Sequence, residues 1–472
     1  MIEMLSHAAT VMSGLLDGSD QPFKAPRTDS REVEPADLFF AMRGEVMDGH
    51  RFVEGVLAKG AAAVVVDHDM SAEVPTAKGR QIIVTDTRLA LGLLGAAVRR
   101  EWGGPLVAVT GNSGKTTVKE MIKSILDRVV SPEHDALATL GNLNSYVGVP
   151  FTLCRLRARH ESGVVELGAS HVGELAWTAP LVKPQVAVIT NVTGAHVGEF
   201  GGMARIAQAK AEILSGLAPM GVAVLNRDDR FYSLWRRIAM LRLESNQIID
   251  FGMDEAAQVH ARDVSHDQHG CYRFTLVIAG ESCGEVRLPL MGEYNLRNAL
   301  AAAAAAHGLG VDPAEIVAGL ARVTHVTGRM ALTPGRDGRI LLDDTYNANP
   351  GAFHEALKVL ALQPAPRWCL LGAMGELGED SARWHAEIGQ QARALGIDGL
   401  IAFGVQARPA AEAFGGECHE DWAAFSKAID QQVPKNASVL VKGSRSTHME
   451  RAVAHLAASE DDTRIEQNRN CE

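Results

Sequence analysis

Short apolar runs that end in polar residues recur along the chain and alternate with stretches of helical periodicity. Between residues 105 and 326 the runs LVAVTG, SGVVELG, VAVITNV and GVAVLN are mostly apolar and β-branched, as in buried parallel strands. The stretch TTVKEMIKSIL (116–126) has apolar residues at 118, 121, 122, 125 and 126, which is helical spacing. The alternation predicts a parallel sheet covered by helices on both faces.

The same pattern divides the chain into three α/β blocks. The first, 1–103, contains the strand-like runs DLFFAMRG and AAAVVVD, with GHRFVEGVLAKG between them as a helix. We expect REWGGP, at 100–105, to be a linker to the central block, 104–326. The third block, 327–472, repeats the alternation in RILLDDTY, RWCLLGAM, DGLIAFG and SVLVKGS.

Two stretches of the central block and the chain's end depart from simple alternation. Residues 256–288 alternate apolar and polar positions, which predicts antiparallel strands added to the sheet. Residues 295–310, NLRNALAAAAAAHGLG, predict a long alanine-rich packing helix. The polar tail from Glu460 onward is expected to be disordered.

Composition is that of a soluble globular enzyme, with 46% apolar and 22% charged residues among 472. The net charge of −11 argues against a nucleic-acid or membrane-surface partner. Six cysteines without a C-x-x-C pair argue against a disulfide framework or zinc site and suit a reducing cytoplasm. We find no signal-peptide pattern and no run of membrane-spanning length, and expect a cytoplasmic protein that acts as a monomer.

The stretch VTGNSGKTT (109–117) lies between a predicted strand and a predicted helix. It resembles the phosphate-binding pattern G-x-x-x-x-G-K-[ST], but Val109 stands where that pattern begins with glycine. Glycines let the backbone turn and aim its N–H groups at an anion, and the helix N-terminus adds positive potential. Lys115 would neutralise phosphate and the Thr116 hydroxyl would bind Mg²⁺. From this stretch alone, an ordinary strand-turn-helix that binds no ligand remains an alternative. The predicted nucleotide loop comprises Gly111, Asn112, Ser113, Gly114, Lys115, Thr116 and Thr117.

Polar groups also interrupt or end other predicted strands. Glu166 interrupts the apolar run VVELGAS and is either a magnesium ligand or a salt-bridged carboxylate. Asn191 ends VITN, and His196 follows five residues later. A lone histidine is more often structural than functional.

Six stretches in order resemble the motifs of the Mur ligases of peptidoglycan synthesis: TGNSGKTT, GNLNSYVGVP, ELGASHVGE, TNVTGAHV, AKAEIL and GEYNLRNAL. The resemblance covers nearly the whole chain, and this family's phosphate loop also lacks the first glycine. It implies an α/β fold of three domains. A central P-loop-type parallel-sheet ATPase domain would be flanked by an α/β UDP-binding domain and a Rossmann-like C-terminal domain. It also implies an ATP-dependent ligase that activates a carboxylate as an acyl phosphate, which an amine then attacks, with Mg²⁺ screening the anions.

The resemblance also implies roles for catalytic residues. Lys115 would hold the β- and γ-phosphates, and Thr116 with Glu166 would bind a first Mg²⁺. His196 would bind a second Mg²⁺. Lys210 stands where many members carry a carbamylated lysine that supports this second metal. Without the resemblance, the sequence predicts an exposed lysine on a helix.

Nucleotide contacts are implied on both sides of the predicted boundary at 326. Asn295 and Asn298 match adenine-side residues, whereas Tyr294 replaces the histidine usual in the family and could still stack. Arg329 matches an arginine that reaches the γ-phosphate, and Asp344 matches the ribose-binding acid. Because the last two belong to a separate domain, closure would assemble the site.

Three stretches resemble the branch of the family that adds D-alanyl-D-alanine to a UDP-N-acetylmuramoyl-tripeptide: DDTYNANP, GAMGELGEDSARWH and VKGSRSTHMERAV. The D-Y-A-H-T-P-like and D-N-P-R-like stretches of the branch that adds the third residue do not occur. TDSREVEPADLFFAMRGEVMDGH (28–50) resembles the UDP-binding segment. The implied substrate contacts are Ser30, Arg31, Arg43, Gly44, Asn142, Asn144, Tyr346, Asn347, Asn349, Lys442, Ser444 and Arg445.

Three alternatives accompany this interpretation. The chain could perform another Mur ligase step, such as addition of the third residue. It could resemble folylpolyglutamate synthase, although a separate first block of about 100 residues argues against that. It could be a non-catalytic nucleotide-binding scaffold, which retention of Lys115, Thr116, Glu166, His196 and Arg329 together argues against.

Overall fold

The computed structural model describes residues 2–44, 47–193 and 202–458, and the structural statements below concern these residues. Three sheets organise the chain, each with its own helices. The α/β fold with three parts that the apolar pattern predicts is confirmed. No helix in these ranges is both long and apolar enough to cross a membrane.

The first unit is a five-stranded sheet in the order β1-β5-β4-β3-β2. Strands β2 to β5 are parallel neighbours and β1 pairs antiparallel with β5. The strands are β1 (Leu15–Gly18), β2 (Pro26–Arg27), β3 (Leu38–Phe40), β4 (Ala63–Val66) and β5 (Arg80–Ile83). The helices are α1 (Leu5–Val11), α2 (Val53–Ala58) and α3 (Thr87–Trp102), with 3₁₀ turns at Gly49–Phe52 and Pro75–Ala77.

Helix α3 joins the first unit to the second. It runs to Trp102 and ends at Gly103 in the left-handed conformation, so the linker expected at 100–105 is shorter than predicted. Arg99 Nε donates to Val182 O at 2.8 Å and Trp102 Nε1 donates to His160 O at 2.9 Å. One apolar core runs through both units. The first sheet is therefore held against the second by packing.

The central sheet has nine strands in the order β14-β13-β12-β11-β10-β9-β6-β8-β7. Strands β6 to β12 are parallel neighbours, and β12 to β14 form the predicted antiparallel extension. The strands are β6 (Leu106–Thr110), β7 (Asp135–Ala138), β8 (His160–Glu166), β9 (Val186–Ile189), β10 (Val222–Asn226), β11 (Ile248–Phe251), β12 (Val259–His266), β13 (Cys271–Ile278) and β14 (Glu281–Met291).

Helices cover both faces of this sheet. They are α4 (Lys115–Leu126), α5 (Gly148–Cys154), α6 (Glu174–Val182), α7 (Met203–Ala211), α8 (Tyr232–Ala239), α9 (Glu293–Gly308) and α10 (Pro313–Leu320), with 3₁₀ turns at Glu212–Gly216 and Ser245–Gln247. The alanines of α9 are fully buried between the sheet and α4, where small side chains let the backbones approach closely. This packing brings the start of α9 to the start of α4.

The third unit is a six-stranded sheet in the order β15-β16-β20-β17-β18-β19, parallel except for β15. The strands are β15 (Ala331–Pro334), β16 (Ile340–Asp344), β17 (Arg367–Gly372), β18 (Gly399–Phe403), β19 (Glu417–His419) and β20 (Ser438–Lys442). The helices are α11 (Pro350–Ala361), α12 (Ser381–Ala394), α13 (Arg408–Phe414), α14 (Trp422–Gln432) and α15 (Glu450–Leu456). Short 3₁₀ turns lie at Arg336–Gly338, Gly378–Asp380, Val405–Ala407 and Arg445–Thr447. Apolar cores lie on both sheet faces.

Candidate active site

A cleft of about 1430 Å³ lies where the central and third units meet. Loops at the carboxyl ends of parallel strands from both sheets line it, which is where open α/β sheets place ligands. Most predicted site residues lie on its walls: Asn112, Ser113, Gly114, Lys115, Thr116, Thr117, Asn142, Asn144, Glu166, Asn295, Asn298, Arg329, Asp344, Tyr346, Asn347, Asn349, Lys442, Ser444 and Arg445.

The loop between β6 and α4 is held from behind by the end of β9. Ser113 N–H donates to Asn191 Oδ1 at 3.0 Å, and Ser113 O accepts from Thr190 Oγ1 at 2.8 Å. Gly111 (φ 147°) and Gly114 (φ 82°) both need glycine. A Cβ would lie 2.0 Å from Thr190 Oγ1 at the first and 2.3 Å from Asn298 Oδ1 at the second. The loop is thus a fixed turn whose helix N-terminus faces the cleft.

Lys115 is the first residue of α4. Its Nζ donates to the carbonyl oxygens of Gly111, at 2.8 Å, and Asn112, at 3.2 Å. Burial lowers the pKa of this ammonium from its ordinary value, and the charge of Glu166 acts in the opposite direction. A cation held by two carbonyls of its own loop is placed to exchange them for phosphate oxygens.

Thr116 and Glu166 form a buried pair at the base of the cleft. Thr116 Oγ1 donates to Glu166 Oε2 at 2.8 Å, and Asn144 Nδ2 donates to Glu166 Oε1 at 2.8 Å. Glu166 is 2% exposed, so its carboxylate is fixed by these bonds. A hydroxyl beside a carboxylate is a donor set that suits Mg²⁺, which keeps several water ligands. The pair predicted from the sequence is therefore brought together in a form that fits this ion.

Arg329 reaches the phosphate loop from the third unit. Its Nη2 donates to Thr116 Oγ1 at 2.9 Å, and its guanidinium carbon lies 4.3 Å from the centre of the Tyr346 ring. Its buried Nε has no hydrogen-bond partner among the described residues. A buried guanidinium with an unused donor beside a phosphate loop fits an anionic ligand.

Lys210 is not an exposed helix lysine, because α7 packs it behind the cleft wall with 3% of its surface exposed. Its Nζ donates to the carbonyl of Ala169 at 3.1 Å, and Ala169 lines the cleft. Burial, and then the charge of Lys115, lower the pKa of Lys210 to about 7. His196, the predicted ligand of a second metal, lies outside the described residues.

The start of α9 forms the wall predicted for adenine. Asn295 Nδ2 donates to Met291 O at 2.8 Å, and Asn298 Nδ2 donates to Asn295 Oδ1 at 3.1 Å. Tyr294 lines the cleft but also packs against the core of the third unit. Burial raises the pKa of its phenol well above the ordinary value, so the ring stays neutral.

Asp344 and Lys442 end adjacent parallel strands, β16 and β20. Lys442 Nζ donates to Asp344 Oδ2 at 2.5 Å and to Asn347 O at 3.0 Å. The lysine side chain is 2% exposed and the carboxylate 15% exposed. The pairing leaves the other carboxylate oxygen of Asp344 able to accept a hydroxyl from the cleft.

The residues predicted to bind UDP lie in the first unit and not on the wall of this cleft: Ser30, Arg31, Arg43 and Gly44. Arg31 donates from Nη2 to Asp29 Oδ2 at 2.6 Å, and this contact with Arg31 lowers the pKa of Asp29 to about 2. Arg43 donates from Nε to Asp67 Oδ2 at 2.5 Å. Both arginines are exposed and already paired with carboxylates.

The structure adds acidic residues that the sequence interpretation missed. Asp228 and Asp229 follow β10 and line the cleft. Asp229 Oδ2 accepts from Val192 N–H at 2.7 Å, and burial raises the pKa of this carboxyl. The rule that selected Glu166, a polar group at the end of an apolar strand, applies equally to GVAVLNRDD.

Comparisons with known proteins agree with this geometry. Three family models match: "Mur ligase family, catalytic domain" at residues 25–99, "Mur ligase middle domain" at 109–306 and "Mur ligase, glutamate ligase domain" at 328–445. The UDP-N-acetylmuramoyl-tripeptide–D-alanyl-D-alanine ligase of Escherichia coli K12 is 39% identical over 459 residues, covering 96% of this chain and 98% of the relative.

Two solved structures are similar over nearly the full length. MurF from Acinetobacter baumannii is 37% identical with a TM-score of 0.86, covering 95% of this chain and 97% of that one. MurF from Thermotoga maritima, solved in complex with ADP, is 29% identical with a TM-score of 0.78, covering 92% and 96%. Family models across all three units, together with a relative at this identity and coverage, show that the chain belongs to the Mur ligase family.

Proposed function

We propose that this chain joins D-alanyl-D-alanine to the terminal carboxylate of a UDP-N-acetylmuramoyl-tripeptide, using ATP. The observation that carries the proposal is the bond between Arg329 and Thr116, which places a third-unit guanidinium on the central phosphate loop. A ligase needs this arrangement, because one unit presents nucleotide and the other presents the incoming amine. The names of the relatives supply the substrates.

The residues of the central unit would hold the triphosphate. Backbone N–H groups at the start of α4 bind phosphate oxygens, and Lys115 exchanges its carbonyl partners for the β- and γ-phosphates. Thr116 and Glu166 would hold Mg²⁺, which when bound screens the charge between phosphate and carboxylate. Arg329 supplies donors to the transferring phosphoryl group through its free Nε. Asn295, Asn298 and Asp344 would contact adenine and ribose.

The acceptor carboxylate would approach from the side of Asn144 and Lys210. Asn144 and Asn142 line the cleft on the loop before α5, and Asn144 is fixed by Glu166. We propose that Lys210 is carbamylated, because an anion at this position would oppose the positive field of Lys115 and support a cation. The pKa of about 7 leaves a large fraction of the amine neutral, the form that reacts with CO₂.

The incoming dipeptide would be held by the third unit. Ser444 and Arg445, which follow β20, offer donors for its carboxylate. Tyr346, Asn347 and Asn349 lie on the loop after β16, opposite the phosphate loop, where Asn349 Nδ2 is 3.5 Å from Ser113 Oγ. The attacking amine would then lie between the two units.

The first unit would hold the UDP end through Ser30, Arg31, Arg43 and Gly44. Both arginines are exposed and can exchange a carboxylate partner for a diphosphate. We further propose that the protein acts as a cytoplasmic monomer. One chain supplies the predicted residues of the cleft, and the five described cysteines are free thiols, which suits a reducing compartment.

Phosphate release in the presence of ATP and Mg²⁺ tests the proposal. We expect release with UDP-N-acetylmuramoyl-tripeptide plus D-alanyl-D-alanine, and little with free D-glutamate, diaminopimelate or lysine plus the shorter UDP-muramoyl substrates. Mass spectrometry should show a product heavier by the dipeptide. Release with a single amino acid, but not with the dipeptide, would assign the chain to another step of the family.

A further inference from the structure

A cluster of ionisable side chains lies in the first unit, away from the cleft. His50, Asp67 and His68 each offer one ligand atom, and these atoms lie within 4.8 Å of one another. His50 Nε2 is 3.2 Å and His68 Nδ1 is 2.6 Å from the same oxygen, Asp67 Oδ1. Such spacings require only small shifts to surround one ion, because ligands of a tetrahedral site at about 2 Å from the metal lie roughly 3.3 Å apart.

Backbone geometry explains why the three side chains meet. Asp67 and His68 directly follow β4, and His50 lies in the 3₁₀ turn Gly49–Phe52 that follows β3 across the sheet. The two imidazole rings are stacked with centroids 5.1 Å apart. The end of β4 and the 3₁₀ turn Gly49–Phe52 therefore present two imidazoles and one carboxylate to one point.

Neighbouring charged groups contact the three candidate ligand side chains and orient them. Asp48 Oδ1 lies 2.6 Å from His50 Nδ1, which fixes that nitrogen as a donor and Nε2 as the basic nitrogen. Nε2 accepts from the backbone N–H of Asp67 at 3.3 Å, and a metal would take the place of this long contact. Glu73 Oε1 lies 3.4 Å from His68 Nε2. Arg43 binds both oxygens of Asp67, with Nε on Oδ2 at 2.5 Å and Nη2 on Oδ1 at 3.1 Å, so a metal on Oδ1 would take the place of the longer contact.

Charge also favours a cation. Among the described residues, the carboxylates of Asp48, Asp67 and Glu73 pair with one guanidinium, that of Arg43, so two negative charges remain when the imidazoles are neutral. One divalent cation balances them. His50 is 6% exposed whereas His68 is 38% exposed at the side chain, so the site has a fixed inner ligand and an open side for entry and water.

We propose that His50, Asp67 and His68 bind one divalent transition-metal ion of the zinc class. Two nitrogens, one oxygen and water form a borderline ligand set that suits Zn²⁺ and not the all-oxygen preference of Mg²⁺. The cysteine spacing had argued against a zinc site, and this cluster uses no cysteine. The ion would tie the loop that carries Arg43 to the end of β4, so its main effect is on the first unit.

Zinc titration of the full-length protein by calorimetry, after chelator treatment and with Mg²⁺ in excess, tests this proposal. We expect one equivalent of Zn²⁺ that is lost, or weakened at least tenfold, in His68→Ala and in Asp67→Asn. His134→Ala is the matched control, because His134 is a similarly exposed histidine 2.5 Å from a carboxylate, Glu161, on another unit. It should keep that equivalent.

Cobalt gives an independent readout. Co²⁺ should produce visible absorption bands of low-symmetry coordination in the wild type and in His134→Ala, but not in His68→Ala. Circular dichroism of the metal-free proteins verifies that the variants fold. If wild type and His68→Ala bind the same number of zinc ions with equal affinity, the cluster is an ion-pair network with protonated histidines and the proposal is wrong. Ligase activity plays no part in this test.

Discussion

Arg329 of the third unit donates from Nη2 to Oγ1 of Thr116, 213 residues earlier in the chain, over 2.9 Å. The same Thr116 hydroxyl donates to Glu166, so the three side chains are joined by consecutive hydrogen bonds. The guanidinium also stacks over Tyr346 from its own unit. The junction between the two units therefore includes the groups to which we assign phosphoryl transfer.

Replacement of Arg329 should lower kcat. In Arg329→Ala the transferring phosphoryl group loses its third-unit donors, and we expect a loss on the order of 10²-fold or more. Arg329→Lys keeps the charge but loses the planar fork, so it should recover only part of the rate. Phosphate release at saturating substrates measures this effect.

Arg322→Ala is the matched control for Arg329, because it removes an exposed arginine from the same connecting segment. Its kcat should equal that of the wild type. An Arg329→Ala enzyme with normal kcat would show that the contact with Thr116 only positions the third unit.

Lys115→Met should strongly lower ligase activity and leave the fold intact. Among the described residues, the ammonium donates only to carbonyls of its own loop, so its removal breaks no hydrogen bond between described elements, whereas bound phosphate would lose its nearest cation. We expect a loss of about 10²–10³-fold in kcat. Lys123→Met, on the outer face of the same helix, removes only the exposed pair with Asp127 and should remain active.

Circular dichroism and thermal unfolding separate the two explanations of a loss in Lys115→Met. A cooperative transition close to that of the wild type assigns the effect to nucleotide binding. Near-normal activity would mean that this loop does not hold the phosphates of ATP.

Arg31→Ala should raise KM for the UDP-peptide and leave KM for D-alanyl-D-alanine nearly unchanged. The side chain is 88% exposed and contacts only Asp29 among the described residues, so its removal does not disturb packing. Remote binding energy also supports turnover, so a moderate loss of kcat is compatible. Arg159→Ala, an exposed arginine of the central unit, is the control. An unchanged KM for the UDP-peptide would remove Arg31 from the substrate site.

The local pattern of apolar and polar residues was sufficient to predict the helices and strands and the polar side chains at strand ends. The phosphate loop and Glu166 both occupy the ends of strands that the apolar runs predict, and parallel pairing of β6 with β8 brings them together. The three units and the antiparallel extension follow from the same periodicity. These features depend on residues close in sequence, which is why sequence alone predicts them.

Two features of the cleft were not predicted from the sequence. Lys210 was interpreted as an exposed helix lysine from its residue type, although it follows the buried Ile206 by four residues on the same face of α7; it lies against Ala169 with 3% of its surface exposed. The pair of Asp344 and Lys442 joins residues 98 apart, through the adjacency of β16 and β20. Nothing in the local pattern around either residue encodes that adjacency.

Lys210→Ala should be nearly inactive, and small carboxylic acids in the buffer should partly restore its rate. This follows if the native group is a carbamate, since acetate or formate would place an anion in the space vacated beside Ala169. Chloride at equal ionic strength should have no effect. If small amines restore the rate and carboxylates do not, Lys210 acts as an unmodified cation. A fully active Lys210→Ala would exclude both roles.

The stability of the CO₂-free protein should depend on pH through Lys210. Its pKa falls from 10.5 in the unfolded chain to about 7 in the fold, mainly because of burial. Between these values the unfolded chain binds a proton that the folded protein lacks, so unfolding becomes less favourable as pH rises through this range. At pH 7 the buried lysine therefore lowers the free energy of unfolding by on the order of 4 kcal/mol, and this penalty decreases toward pH 10.

Lys210→Met should unfold at higher denaturant concentration than the wild type at pH 7, and the difference should shrink at pH 9. Comparing the two proteins cancels the other titrating groups. A difference that stays constant from pH 7 to 9 would show that Lys210 keeps an ordinary pKa, and the explanation of its carbamylation by a neutral amine would fail.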